Sequence, residues 1–268
     1  MTTAAVAPTH KRARGIGLIT HQLRYEQLAY WRNPPAAFFT FLFPLMFLVL
    51  FATLNKGQTI ELNGKKISYN QYFVPGILAY GVMGACFSNL AMTLSNRREF
   101  GQLKRKRATP LPAWALIGGL IASSIVISIV LVIVTFGSGI GLYGVVIAAS
   151  RIPAIAVALI LGAACFCAVG IALQTLIPNA DAAPAVVNFT LLPLTFISGV
   201  WFPVKDTSFL STVAEAFPVR HFVTALFDAT NGPGSGGFAI KDLLWLAGWL
   251  IVGTVVAVRR FRWEPGRR

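Results

Sequence analysis

The sequence predicts an all-α integral membrane protein with six transmembrane helices, and three observations carry that expectation. Five long stretches, 33–55, 67–96, 108–150, 152–180 and 182–204, hold no Asp, Glu, Lys or Arg, and a sixth, 243–258, is shorter. Of the 268 residues, 56% are hydrophobic and 12% charged, with a mean hydropathy of +0.68; soluble chains average about 25% charged residues. The basic residues fall in blocks between alternate apolar stretches. Hydrocarbon about 30 Å thick takes roughly 20 helical residues to cross, so six spans and their loops fill this length.

The blocks set the expected topology. Lys11, Arg12 and Arg14 precede the first stretch, with Arg24 and Arg32 nearer to it. Arg97, Arg98, Lys104, Arg105, Lys106 and Arg107 follow the second, and Arg259, Arg260, Arg262, Arg267 and Arg268 follow the last. Intervening connections carry fewer cations: Lys56, Lys65 and Lys66, then Arg151, then Lys205, Arg220 and Lys241. Basic segments stay inside, so both termini and the 96–112 loop are expected on the cytoplasmic side of the cell membrane. Topology and anionic lipid account for the formal net charge of +14, and nucleic acid is not an expected partner.

Residues 1–35 form the cytoplasmic N-terminus. No compact apolar core with a small-residue cleavage site occurs within 1–32, so no removable signal peptide is expected. Ile16, Ile19, Leu23 and Tyr30 recur at helical spacing, and His21, Gln22, Arg24, Glu26 and Gln27 supply polar surface. That pattern suits a helix lying along the inner membrane surface. Asn33-Pro34-Pro35 ends it and turns the chain inward. The six-helix domain then covers 36–258, with spans at about 36–54, 72–95, 113–136, 153–177, 183–201 and 238–258. Asn63-Gly64 in the first outer loop points to a small hairpin, and the glycine-rich 137–144 reads as the outer end and exit of span three. The stretch 203–237 mixes short apolar pieces with charges. Short helices dipping into the outer leaflet, or folded over the outer mouth, fit it better than a flexible loop. A basic cytoplasmic tail, 259–268, follows span six.

Several mechanisms lack their residues. Ion-coupled transport needs titratable groups at depth, and the spans hold no Asp, Glu, Lys or His there, Lys241 and Asp242 lying at the very start of the sixth. Intramembrane hydrolysis needs a nucleophile with a base, or an acidic dyad, and no span supplies either. His10, His21 and His221 lie outside the spans; His221, beside Arg220, reads as a structural residue of the outer surface. Cys86, Cys165 and Cys167 read as small packing residues; no metal site is expected. No glycine-rich loop ends in Gly-Lys-Ser/Thr, so the chain has no P-loop. Energy comes from elsewhere, or transport is passive.

The 96–112 loop is the candidate partner contact. Glu99, Phe100 and Leu103 can share one face of a short helix, with the cations opposite. Thr109-Pro110-Leu111-Pro112 stiffens the return to the bilayer. A basic loop that serves topology alone is the alternative from spacing.

Ordered along the chain, these features resemble the type-2 ABC exporter permease family. They are the surface helix, the proline-flanked first span, Glu99…Gly101…Leu103…Thr109-Pro110-Leu111-Pro112, Ser198-Gly199-Val200-Trp201-Phe202-Pro203, and Phe217-Pro218. Tyr72-Phe73-Val74-Pro75-Gly76-Ile77 resembles the daunorubicin-resistance-like drug-efflux branch. The stretch 104–107 is more basic than the family pattern.

The resemblance implies two permease subunits, as a homodimer or a sibling heterodimer, and two copies of a separate ATP-binding subunit. Glu99, Phe100, Gly101, Leu103, Thr109 and Pro110 would form the coupling helix and its exit on that ATPase. Trp201, Pro203, Phe217 and Pro218 would mark outer re-entrant helices between spans five and six. ATP and Mg would be bound by the partner, and this chain would hold no cofactor and catalyse nothing itself. Spans one, two and five would repack across the dimer to move a hydrophobic or amphipathic compound, a drug or lipid, outward. Phe43, Phe47, Asn89, Asn188, Thr190 and Thr195 are the expected lining of its path. A permease for a lipid-linked polysaccharide, and a non-transporting membrane scaffold, stay open as alternatives.

Overall fold

The computed structural model describes residues 15–62, 65–109, 111–204, 209–232 and 236–261. Helix α1 (Ile16–Trp31) leads through Asn33 into α2 (Pro34–Leu54), whose Pro34 and Pro35 sit in the first turn, where a missing N–H costs nothing, while Pro44 lies inside the helix. A hairpin of β1 (Thr59–Leu62) and β2 (Lys65–Ser68) follows, in antiparallel register with Ile60 opposite Ile67 and Leu62 opposite Lys65. Asn63 and Gly64 lie outside the described residues.

The centre of the bundle is one long rod: α3 (Tyr69–Met83), a π-helical turn (Gly84–Ser88) and α4 (Asn89–Glu99). Phe73, Ile77, Leu78, Met83, Leu90 and Leu94 along it are fully buried. After the short α5 (Gln102–Arg107), α6 (Ala113–Tyr143) and α7 (Ile152–Gln174) run beside the rod. Then come α8 (Ala183–Ile197), α9 (Phe209–Glu215), α10 (Pro218–Asn231) and α11 (Ile240–Arg260), the last lying along α7.

Five of the described helical segments are long and apolar enough to cross a membrane: Pro34–Leu54, Tyr69–Glu99, Ala113–Tyr143, Ala149–Gln174 and Ile240–Arg260. This is an all-α membrane architecture.

Three expectations need correction. The polar residues expected on α1's outer surface are only partly there: His21 and Arg24 are exposed, while Gln22, Glu26 and Gln27 are not. Gln22 and Glu26 are buried against the bundle, Gln27 Nε2 donates to Ser123 of α6 at 2.9 Å, and Tyr25, Leu28 and Trp31 face outward. Helical spacing separates two faces without saying which turns inward, and next to lipid the apolar face goes out. Second, α6 does not end at residue 136 but runs through the glycines to Tyr143, because Gly139 seats against the Val74 side chain of α3.

Third, the fifth apolar stretch, expected as a span over 183–201, is helical only to Ile197. Fifteen residues reach about 22 Å, short of the hydrocarbon thickness. Beyond it the chain unwinds through Gly199, at φ +82°, and stays buried at Val200 and Trp201. Its freed polar groups have partners: Tyr72 Oη donates to the Gly199 carbonyl at 2.5 Å. Gly76 makes this approach possible, since a Cβ there would stand 2.5 Å from the Val200 carbonyl oxygen. Gly76→Ala is therefore expected to cost about 1–3 kcal/mol. Denaturant titration of the purified protein checks this, and an unshifted midpoint would contradict the tight seat.

Candidate functional site

At the end of α4 the backbone reverses at Gly101, whose φ of +65° is left-handed and costs a side-chain-bearing residue strain. The reversal splits the loop into parts with different environments. Leu103 is fully buried, anchoring α5 to the core; Phe100 at the tip is 66% exposed; Glu99 is half-buried. The Thr109 hydroxyl donates to the Lys106 carbonyl at 2.6 Å and closes the end of α5. Pro110 lies outside the described residues.

Two adjacent arginines fix this loop in opposite directions. Arg97 makes a forked pair with Glu26 of α1, Nη1 to Oε1 at 2.8 Å and Nη2 to Oε2 at 2.5 Å. Lys106 Nζ of α5 stands 3.6 Å from the same carboxylate, and Gln22 Nε2 donates to it at 2.6 Å. Burial alone would raise the Glu26 pKa, but the Arg97 hydrogen bonds and charge, with Lys106, outweigh it and hold the carboxyl below its ordinary value. Arg98 points the other way, donating to the Gln174, Ile177 and Pro178 carbonyls at 3.3, 2.5 and 3.4 Å. It thus caps the end of α7 with a cation, where the helix dipole favours one.

Neither Glu26 nor Arg98 stood out as a site residue in the sequence. A signal for Glu26 exists: it is the single carboxylate in the first 60 residues, among many cations.

The expected path residues divide into three places. Phe43, Phe47, Thr195 and Trp201 come together. The Phe43 and Phe47 rings are 4.6 Å apart, Phe47 meets Trp201 edge-on at 5.1 Å, and Trp201 Nε1 donates to Thr195 Oγ1 at 3.2 Å. Tyr80 and Phe196 complete this aromatic cluster around Trp201. Asn89 is elsewhere, accepting from Thr93 at 3.2 Å. It lines a cavity of about 200 Å³ beneath α1, with Tyr30, Asn33, Ser123 and the Glu26–Arg97 pair. Asn188 is exposed on α8, and the Thr190 hydroxyl returns to the Val186 carbonyl at 2.8 Å. No single cavity gathers all six.

At the opposite end, Pro203 is exposed, while Pro218 is buried and opens α10. Phe217 stacks on Trp249 of α11 at 6.4 Å. α10 packs into the bundle against α3, α7 and α11, with Phe222 against Phe166 at 5.4 Å. His221 is 2% exposed rather than at the surface. It sits between Asp242 Oδ1 at 2.6 Å and the Glu215 carbonyl at 2.8 Å, stacked on Trp245. It ties α9, α10 and α11 together.

Long apolar helices around a buried rod, with a cation-braced loop at one end, define a multi-pass helical membrane protein. The chain belongs to the ABC-2 type transporter family, whose model matches residues 18–230. It is similar to the inner membrane transport permease YadH of Escherichia coli K12, at 23% identity over 157 residues. The Shigella flexneri protein of the same description matches equally. These alignments span 59% of this chain and 60% of the relatives' length.

Proposed function

We propose that this chain is the permease of an exporter powered by ATP hydrolysis in a separate subunit, moving a hydrophobic or amphipathic compound, a drug or lipid, outward across the cell membrane. The observation that carries the reading is the loop at the end of α4. Phe100 is presented at its tip while Glu26, Arg97, Arg98 and Leu103 hold its base to α1, α7 and the core. A loop so braced passes a push to the helices it joins, where a slack one would absorb it.

In this reading two ATPase copies bind ATP and Mg, and each seats one such loop from a permease pair, homodimeric or with a sibling. The loop end and both termini face the cytoplasm, as the basic blocks require. α8 and the unwound residues after it make the sixth crossing, and α9–α10 re-enter from outside. The Asn89 cavity receives the substrate's polar part, and the Trp201 aromatic cluster forms the apolar part of the path.

The test is copurification with the ATPase and ATP-dependent flux in vesicles. Phe100→Ala is expected to weaken the partner contact by about 2 kcal/mol, the scale of an interface anchor, and to cut flux at least tenfold. The chain's own melting temperature should stay unchanged, because Phe100 is exposed. Undiminished flux in that variant, or in one lacking residues 99–103, would overturn the reading.

A further inference from the structure

At the end of the bundle that carries the 96–112 loop, two hollows meet at one residue. The first, about 380 Å³, is a furrow between α6, α7 and α11, walled by Trp114, Ile117, Ile121, Ile171, Val258 and Phe261, with no charged residue in its lining. Close packing and small side chains make it. Gly253 lets α11 lie on the α7 backbone, where a Cβ would stand 3.0 Å from the Val169 nitrogen. Ala168 and Ala257 then leave space beside the seam. The furrow is open to the membrane, with Val258 77% and Trp114 51% exposed.

The second hollow, about 290 Å³, adjoins it through Ala113 and is lined by Lys106, Arg107, Leu111 and Leu116. Here charge is unbalanced. Arg97 takes both oxygens of Glu26, so Lys106 shares a carboxylate already engaged, and Arg107 adds a second cation to the hollow's lining. Burial and the nearby Arg97 hold the Lys106 ammonium below its ordinary pKa, against the pull of Glu26. An apolar slot of drug-sized volume thus ends at a mouth lined by Lys106 and Arg107, with the exposed Trp114 beside it.

We infer that this composite hollow binds an anionic glycerophospholipid, with its phosphate at Lys106 and Arg107 and an acyl chain in the α6–α7–α11 furrow. Charge complementarity selects that occupant. A zwitterionic headgroup brings its own cation to a mouth already rich in them, and a free anion has nothing to fill the furrow. Basic pockets between membrane helices on the cytoplasmic side favour anionic headgroups on the same grounds. The consequence is regulatory. Lys106 belongs both to the lipid mouth and to the Glu26 hub that braces the loop, so lipid charge at the inner leaflet adjusts that brace. The placement in the inner leaflet rests on the orientation proposed above; binding itself does not.

The test is native mass spectrometry of the purified full-length chain, titrated with phosphatidylglycerol, phosphatidylcholine or inorganic phosphate. Wild type is expected to bind phosphatidylglycerol about tenfold more tightly than phosphatidylcholine. Arg107→Gln should lose most of that preference while still binding both lipids. Val258→Trp, which fills the furrow from its open side, should lose binding of both. Melting temperatures without added lipid verify that the variants fold. Equal wild-type affinity for the two lipids overturns the inference. So does a preference unchanged in folded Arg107→Gln, or inorganic phosphate binding as tightly as phosphatidylglycerol. Because no ATPase is present, failure here leaves the transport reading untouched.

Discussion

Glu26→Gln is expected to cost about 3 kcal/mol of stability and to reduce transport at least tenfold. The amide keeps the volume and the Gln22 contact, so the substitution isolates charge. Without the carboxylate, Arg97 and Lys106 are left facing each other in a largely buried space. Breaking a buried pair from one side costs about 3–5 kcal/mol, and the partly open Lys106 side places the effect at the lower end. Denaturant titration and vesicle flux with the ATPase measure the two effects. Pairing it with Arg97→Gln should return more than half of the lost stability without returning transport, since the link from α1 to α4 stays cut. The pH dependence has a definite sign. The folded carboxyl titrates below its ordinary value of 4.5, so its contribution is full above that pH and is lost as pH falls through the folded value. The melting temperature of the wild type should therefore drop in acid by more than that of Glu26→Gln. Parallel melting curves for the two chains from about pH 3 to 7 would show the pair contributes nothing.

Arg98→Met is the second large effect, expected at about 3 kcal/mol or more. Arg98 is 3% exposed, and methionine preserves its stem while removing every donor. Hydrogen bonds from a charged group contribute about 1.5–3 kcal/mol each, and three carbonyls at the end of α7 lose theirs. The change should appear locally as faster hydrogen exchange over about residues 170–178, with α7 fraying from that end. Arg98→Lys should recover only part, because one ammonium cannot fork across acceptors lying side by side. A melting temperature within about 1 °C of wild type for Arg98→Met would mean the cap bears no strain of folding.

Much of the architecture was legible because bilayer physics leaves a coarse imprint. Twenty apolar residues without charge have few uses other than crossing hydrocarbon, so α2, α6, α7 and α11 can be read directly. The small hairpin announced itself through Asn63-Gly64, and the family through the order of its short motifs. Facing was not legible. Gln22 and Ile19 of α1 turned inward together because Gly118 and Gly119 of α6 let them approach, a contact no local pattern encodes. The end of α8 was missed because Ser198-Gly199 continues an apolar run; the unwound backbone there is held by the distant Tyr72 and Tyr69 hydroxyls, which donate to the Gly199 and Trp201 carbonyls. The candidate path suffered most. Composition singled out Asn89, Asn188, Thr190 and Thr195 as polar groups in apolar stretches, but their neighbours depend on helix rotation. Both threonine hydroxyls donate to their own helix's carbonyls, Thr190 to Val186 and Thr195 to Leu192, and Thr195 also accepts from Trp201.

The π-helical turn at Gly84–Ser88 explains part of that illegibility and has a mechanical meaning of its own. Holding one residue more than an α-helical turn, it swings everything beyond it by about 100° around the axis. The rod is therefore two half-length shafts joined out of phase. Tyr72 and Gly76 are aimed by the upper shaft, Arg97 and Arg98 by the lower, and the azimuth of one pair need not match that of the other. A twist imposed at the basic end reaches this joint before it reaches the far side, so the joint's stiffness sets how much torque the far end feels.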